Sequence, residues 1–312
     1  MGDPLLPPSG HSNTKATTEQ KRTLLNKLRS HLGKSKDDIL FLRQHKMVIK
    51  AMDELYPDSE NSRQTRIGAL CAITKSLVEQ GYDSYSKAEK AYCAANAKMR
   101  KALTTASRSR APSEKQTAAY VPWKSIVEAF NKLKESVGSS DWLQYQKAVV
   151  MGLYVLLPPV RVDYAPLAVV SKLTGNPSVN TLLLTKSKAK FIMPVYKTAK
   201  SHGINAYDAP PQLAEMLRKF QQLKQDAKVD TTTLLLNNYG KPMTKANLGT
   251  YLRQLMEETT GKRFGVQMLR HSYNSSHIDT SDDLNTIVGS AKIMGHTPLM
   301  ALEYAKRFTE PE

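Results

Sequence analysis

The sequence predicts a mainly α protein with a small antiparallel β-sheet, divided into a four-helix N-terminal domain and an α+β C-terminal domain. Three observations lead there. Apolar residues recur at helical spacing through most of the 312 residues. Short β-prone runs gather between residues 181 and 207. A stretch rich in Ser, Arg and Pro, SRSRAPSEKQT, breaks the periodicity near residue 110.

Residues 1–18 are dominated by Pro, Gly, Ser and Thr and read as a disordered tail. Residues 19–105 read as a compact helical domain. Its first helix aligns Leu24, Leu25 and Leu28 on one face, with Lys and Arg opposite. A second helix spans about 36–55 and stops before Pro57. A third, from about residue 62, carries Ile67, Leu70, Ile73, Leu77 and Val78, and Gly81 ends it. A fourth covers 86–104. Residues 106–118 read as a linker, and 119–312 as the second domain. That domain opens with helices at 123–135 and 142–157, continues with strands at 181–184, 191–196 and 204–207, and returns to helices at 212–223, 245–259, 267–278, 281–293 and 298–308.

Charge bears on partners. The net charge is +17, which favours a polyanion. Residues 1–117 hold 21 Lys and Arg against 12 Asp and Glu, and the remainder 24 against 16. Both halves are therefore suited to face phosphate, as in a clamp around a duplex. Arg63 and Arg66, on the first turns of the third helix, are candidates for DNA contact, as are Arg108 and Arg110 in the linker; an ordinary solvated basic face is an equal reading for each. No apolar run approaches the ~20 residues of a membrane span, the longest being 149–157. The N-terminal MGDPLLPPSG has neither a signal-peptide core nor a myristoylation pattern. Cys71 and Cys93 form no metal or disulfide framework by spacing and read as small buried hydrophobes in a reducing compartment.

Four stretches carry possible chemistry. LLPPVRVDYAPL contains Arg161 and Asp163; FIMPVYKTAKSHG contains Lys197 and Lys200; QMLRHSYNSSH contains Gln267, Arg270 and His271; IMGHTPLMALEYAKR contains His296 and Tyr304. Singly each has an ordinary structural reading: an ion pair for Arg161 and Asp163, a hairpin lysine, a helix cap at His296, a packed aromatic at Tyr304. Together the order is Arg, Lys, Arg, His, Tyr, with LRHS about 25 residues before a Gly-His and the tyrosine two helical turns beyond. That order resembles the tyrosine recombinases, the integrase-type enzymes that break and rejoin DNA. PPVRVDY and KTAKSHG are most similar to recombinases of large DNA viruses and their satellite elements. The N-terminal half resembles the family only in architecture, a helical core-binding domain followed by a linker.

The resemblance implies a catalytic set of Tyr304, Arg161, Arg270, His296 and Lys197. Two planar, permanently charged guanidiniums can clamp a scissile phosphate with several donors, and donors placed where charge develops act as an oxyanion hole does. His296 would add a third donor. Lys197, or else Lys200, would protonate the departing 5′-oxygen. Tyr304 would attack and hold the strand as a 3′-phosphotyrosine. Gln267, Asp163 and His271 are further candidates for phosphate contact or support, with His271 the more structural because helix neighbours do not share a face. No metal or cofactor is implied. The implied partners are double-stranded DNA and further copies of the chain in a synaptic tetramer, with no membrane. The implied location is intracellular, wherever the target DNA lies, in a host nucleus or a cytoplasmic virus factory.

The sequence departs from the family pattern in four places. Gln267 stands where His or Lys is common and cannot titrate. Asp163 follows Arg161 by two residues where three is usual. Tyr304 follows His296 by eight where nine is usual, and one residue is about 100° of helix rotation. Only eight residues follow Tyr304, too few for much exchange of a terminal helix between copies. Two other readings stay open: a type IB topoisomerase relaxing one duplex as a monomer, and a DNA-binding relative without catalysis.

Overall fold

A computed structural model describes residues 15–138, 140–280 and 284–308. Its contacts divide between Ser109 and Arg110 into two compact units.

The first unit holds α1 (Lys15–His31), α2 (His45–Leu55), α3 (Glu60–Glu79) and α4 (Ser86–Arg108). Leu24, Leu25 and Leu28 of α1 are buried with Phe41, Leu42, Val48, Met52, Ile67, Leu70, Ile73, Leu77 and Tyr92 in one core. Each such large apolar side chain contributes about 1.5–3 kcal/mol when removed from water. The Tyr92 hydroxyl donates to the Leu42 carbonyl at 2.8 Å, so the core leaves it paired. Of the expected tail, 1–14 lie outside the described residues, whereas 15–18 belong to α1.

The second helix is shorter than its sequence suggests. Leu40–Arg43 form a 3-10 turn, and α2 starts only at His45 because Gln44 (φ −86, ψ 57) leaves helical geometry. Asp38 accepts from the Leu40 amide at 2.7 Å, a local bond that competes with helix. Ser59 caps α3, accepting from the Ser62 amide at 3.2 Å.

The cysteines are a correction. Cys71 of α3 and Cys93 of α4 are joined in a disulfide across a Cα separation of 5.0 Å, and both are half-buried. Sequence spacing could not show this, because the pairing depends on how closely two antiparallel helices approach.

Both arginines singled out on α3 are engaged within this unit. Arg63 donates through Nη1 to the carbonyls of Tyr56 at 2.9 Å and Pro57 at 2.7 Å, and lies 3.5 Å from Asp53. The Arg66 guanidinium sits 3.9 Å from the Tyr56 ring centroid, and its Nη1 donates to Ser62 at 3.0 Å.

The stretch expected as linker holds the last turn of α4 and a further helix, α5 (Glu114–Ala119). α5 begins with a capping box: Ser113 accepts from the Gln116 amide, and the Gln116 side chain accepts from the Ser113 amide. The Arg108 side chain lies outside what the structure describes.

The second unit continues with α6 (Trp123–Ser136), α7 (Trp142–Val155), β1 (Ala168–Val170), β2 (Thr181–Leu184), β3 (Ala189–Met193), α8 (Ala199–His202), β4 (Asn205–Asp208), α9 (Pro211–Asp226), α10 (Lys245–Thr260), α11 (Val266–Thr280), α12 (Leu284–Ile293) and α13 (Pro298–Tyr304). α7 is buried nearly all round, from Ala148 to Tyr154, and anchors the core between α6 and α9. The sheet order is β1-β2-β3-β4. It is mixed, not antiparallel throughout: β1 runs parallel to β2, pairing Ala168 with Thr181, while β2–β3 and β3–β4 are antiparallel. β3 ends at Met193, short of the expected 196, where Pro194 brings no amide hydrogen to the ladder. The last helix stops at Tyr304, since Ala305 (φ −71, ψ 84) leaves helical geometry. Residues 281–283, expected to open a helix, lie outside the described residues. Among the described residues no helix is long and apolar enough to cross a membrane.

Candidate active site

Four segments of the second unit converge around one guanidinium. Arg270, on the buried face of α11, is only 1% exposed. Its Nη1 donates weakly, at 3.3 Å each, to the carbonyls of Pro159 and Met294. Nε and Nη2 are buried and have no hydrogen-bond partner among the described residues. Burying an ion costs several kcal/mol unless its donors are satisfied. Burial, with Arg161 adding repulsion, pulls the Arg270 pKa below its usual value, opposed by Tyr304 and Asp163.

Tyr304, the last residue of α13, lies against this cation. Its ring centroid is 4.7 Å from the guanidinium carbon, 5.5 Å from the His296 ring and 5.1 Å from the His271 ring. The shortened spacing from His296 is absorbed by an immediate start: Thr297 caps α13 and Pro298 is its first residue. His296, 7% exposed, uses Nδ1–H to donate to the Thr297 carbonyl at 3.0 Å. That fixes the neutral tautomer, leaving Nε2 as a lone pair, buried and without a partner among the described residues. Burial first, then the positive charge of Arg270, lowers the His296 pKa to about 4.

Arg161 is half-buried at the start of a 3-10 turn (Val162–Tyr164) and reaches the cluster electrostatically, acting on both Arg270 and His296. Among the described residues it forms no ion pair with Asp163. The buried Asp163 carboxylate instead accepts from Lys245 at 2.7 Å, at the start of α10. Asn180 fastens this segment to the β3–β4 connection: it donates to the carbonyls of Asp163 and Val195 and accepts from the Val195 amide, all at 2.9 Å.

Lys197 and Lys200 are exposed, Lys200 on the short α8. Their segment is fastened to the Gly-His turn. Thr198 donates to the Gly295 carbonyl at 2.6 Å, and Asn205 donates to the last carbonyls of α12, Lys292 and Ile293, at 3.0 and 2.9 Å. Gly295 is required here: its φ is +66, and a Cβ would stand 3.0 Å from the Tyr196 ring. Lys197 thus lies between two residues that touch the turn leading into His296. Gln267 is exposed, one helical turn before Arg270.

His271 and Arg110 do something other than face an anion. His271 donates from Nδ1 to the Tyr304 carbonyl at 2.8 Å, and Arg110 donates from Nε to the Ala305 carbonyl. Gln116, Asn180, Thr198, Asn205 and Lys245 were not anticipated as site supports. Only Gln116 had a readable signal, the Ser-x-x-Gln capping box; the others act on backbone or carboxylate partners remote in sequence. Among the described residues no cluster of His, Cys, Asp and Glu is arranged to hold a metal.

No family model and no curated protein matches the sequence. Solved structures do match by fold. An integrase of the Tn1549 transposon, in complex with a circular intermediate DNA, has a TM-score of 0.56 at 14% identity, over 97% of this chain and 92% of that one. A lambda integrase dimer bound to a COC′ core site gives 0.55 at 12%, over 97% and 94%. The XerH site-specific recombinase, in a post-cleavage complex with a palindromic difH substrate, gives 0.53 at 11%, over 83% and 68%. The chain therefore has the tyrosine-recombinase fold: mostly helical, with a small four-stranded mixed sheet.

Proposed function

We propose that this chain breaks and rejoins double-stranded DNA through a 3′-phosphotyrosine at Tyr304, as a site-specific recombinase or integrase. The observation that carries this reading is Arg270: a buried guanidinium whose Nε and Nη2 meet no hydrogen-bond partner among the described residues, beside the Tyr304 ring and the likewise unpartnered Nε2 of His296. A phosphodiester supplies the anion such donors need, and the +17 charge draws one in. The DNA-bound structures that share the fold support the same substrate.

Each residue then has a task. The Tyr304 oxygen attacks phosphorus, and the bond to the 5′-oxygen breaks. The phenolic proton passes to Nε2 of His296, which is available because its lowered pKa of about 4 keeps it neutral. The imidazolium so formed becomes a third donor to the phosphate. Arg161 and Arg270 hold the non-bridging oxygens as charge builds, with Gln267 a further donor. Asp163, held by Lys245, steadies the Arg161 segment. Lys197, with Lys200 the alternative, protonates the departing 5′-oxygen. One phosphodiester is exchanged for another, so a second 5′-hydroxyl reverses the step without nucleotide hydrolysis, and the guanidiniums supply the positive charge a metal would.

Two copies must meet for strands to be exchanged. On α13, Leu299 and Leu302 are 59% and 41% exposed, apolar surface of the kind a second copy covers in a synaptic tetramer. The helical unit would hold the duplex, with Arg63 and Arg66 contributing charge more than free donors. The enzyme would act wherever its DNA lies, and the resemblance of PPVRVDY and KTAKSHG points to a viral or satellite element.

A nicked suicide substrate tests the reading. Incubation should give a protein–DNA adduct that survives denaturant, and Tyr304→Phe should abolish the adduct while still binding DNA. An adduct of undiminished yield in Tyr304→Phe overturns it.

A further inference from the structure

Resting on that reading of Tyr304, we propose that His271 and Gln116 are positioning residues: a three-link hydrogen-bond relay from the cap of α5 fixes where the nucleophile stands.

The relay has one consistent assignment of hydrogens. The Ser113 amide donates to Gln116 Oε1 at 2.9 Å. That orients the Gln116 amide, so its Nε2 faces His271 Nε2 at 3.0 Å. His271 Nδ1 faces the Tyr304 carbonyl at 2.8 Å, and a carbonyl only accepts, so Nδ1 carries the hydrogen and Nε2 is the lone pair that accepts from Gln116. Burial lowers the His271 pKa, with Lys306 and Arg270 acting in the same direction against the Tyr304 carbonyl, which agrees with the neutral ring the relay requires. Each donor meets one acceptor, and turning the Gln116 amide or protonating His271 would set two donors face to face.

The same stretch grips the chain beyond the tyrosine. Arg110 donates to the Ala305 carbonyl, the Arg307 amide donates to the Arg110 carbonyl at 3.0 Å, and Tyr120 stacks on Phe308 with centroids 3.8 Å apart. Ala305 and Lys306 are buried in consequence. α13 itself has only seven residues and ends at Tyr304, so little else in that helix sets the height of the phenol. The segment 110–120, which takes in most of the 106–118 stretch expected as a linker, is a brace for the nucleophile.

A misplacement of about 1 Å at a reacting atom can cost on the order of 100-fold in rate. His271→Phe and Gln116→Leu should therefore slow single-turnover cleavage by about tenfold or more, with DNA affinity unchanged. His271→Asn, whose amide can stand where Nδ1–H stands, should recover most of the rate. A second readout needs no DNA chemistry: trypsin should cut after Lys306 faster in His271→Phe and Gln116→Leu than in the parent chain or His271→Asn. Cleavage and trypsin resistance both at parental level in a folded His271→Phe overturn the relay, as does failure of His271→Asn to differ from His271→Phe. If the parent chain forms no adduct with DNA, the proposed function fails, and the trypsin comparison still decides the relay by itself.

Discussion

The arginines of the two units are treated in opposite ways. In the helical unit, Arg63 spends its donors on the Tyr56 and Pro57 carbonyls, and Arg66 lies on the Tyr56 ring. In the α/β unit, Arg270 is more deeply buried than either, yet among the described residues Nε and Nη2 meet no hydrogen-bond partner. A satisfied cation holds a structure together; a buried cation left unsatisfied is a cost the fold carries for something that binds.

Replacing an arginine of each kind should have unequal effects, and the largest belongs to Arg270. Arg270→Met should lower the rate of adduct formation by about 100- to 1000-fold, the scale of losing a preorganised oxyanion donor, while melting temperature holds or rises because an incompletely paired buried charge gives way to an apolar chain of similar reach. Single-turnover cleavage and thermal melting read the two halves. The helical unit should show its largest effect at the disulfide. Cys71 and Cys93 are 22 residues apart, and opening a loop of that size costs about 3 kcal/mol in the chain-entropy account. Cys71→Ser should lower the denaturant midpoint accordingly.

His296 gives an effect of the next size. Its folded pKa is about 4, against about 6.5 unfolded. Between those values the unfolded chain binds the extra proton, so stability rises with pH from about 4 to 6.5 and is lost as pH falls through that window. Replacing His296 by Gln should remove on the order of 2 kcal/mol of that pH dependence, read from urea unfolding at pH 4.5 and 7. The smallest effect is expected at Arg63: Arg63→Ala should cost about 1–2 kcal/mol of stability through its lost hydrogen bonds and leave cleavage of bound DNA unchanged.

What could be read from sequence follows the range of the forces involved. Helices such as α3 and α7 declare themselves by local apolar spacing, and the residues of the Arg270 cluster by their order. β1 did not: three residues paired parallel to β2 carry no alternation to read, and without β1 the sheet looked antiparallel throughout. The disulfide and the Asp163–Lys245 pair depend on the approach of separate helices and turns. Composition misled at 106–118, where Ser and Pro suggested a linker although Ser113 and Gln116 already spelled a helix cap. His271 reads from sequence as support more than as a phosphate ligand, and Arg110 equally as a phosphate contact or a solvated linker residue; the carbonyls they meet follow from where Tyr304 ends its helix, which no local pattern shows.

The proposed nucleophile is one tyrosine among 14. Trapping the adduct on a nicked substrate, trimming its DNA with nuclease and mapping the tryptic peptides by mass spectrometry tests it most directly. Nucleotide mass is expected on the peptide 293–306, at Tyr304; nucleotide mass on any other tyrosine, with peptide 293–306 unmodified, would rule Tyr304 out as the nucleophile.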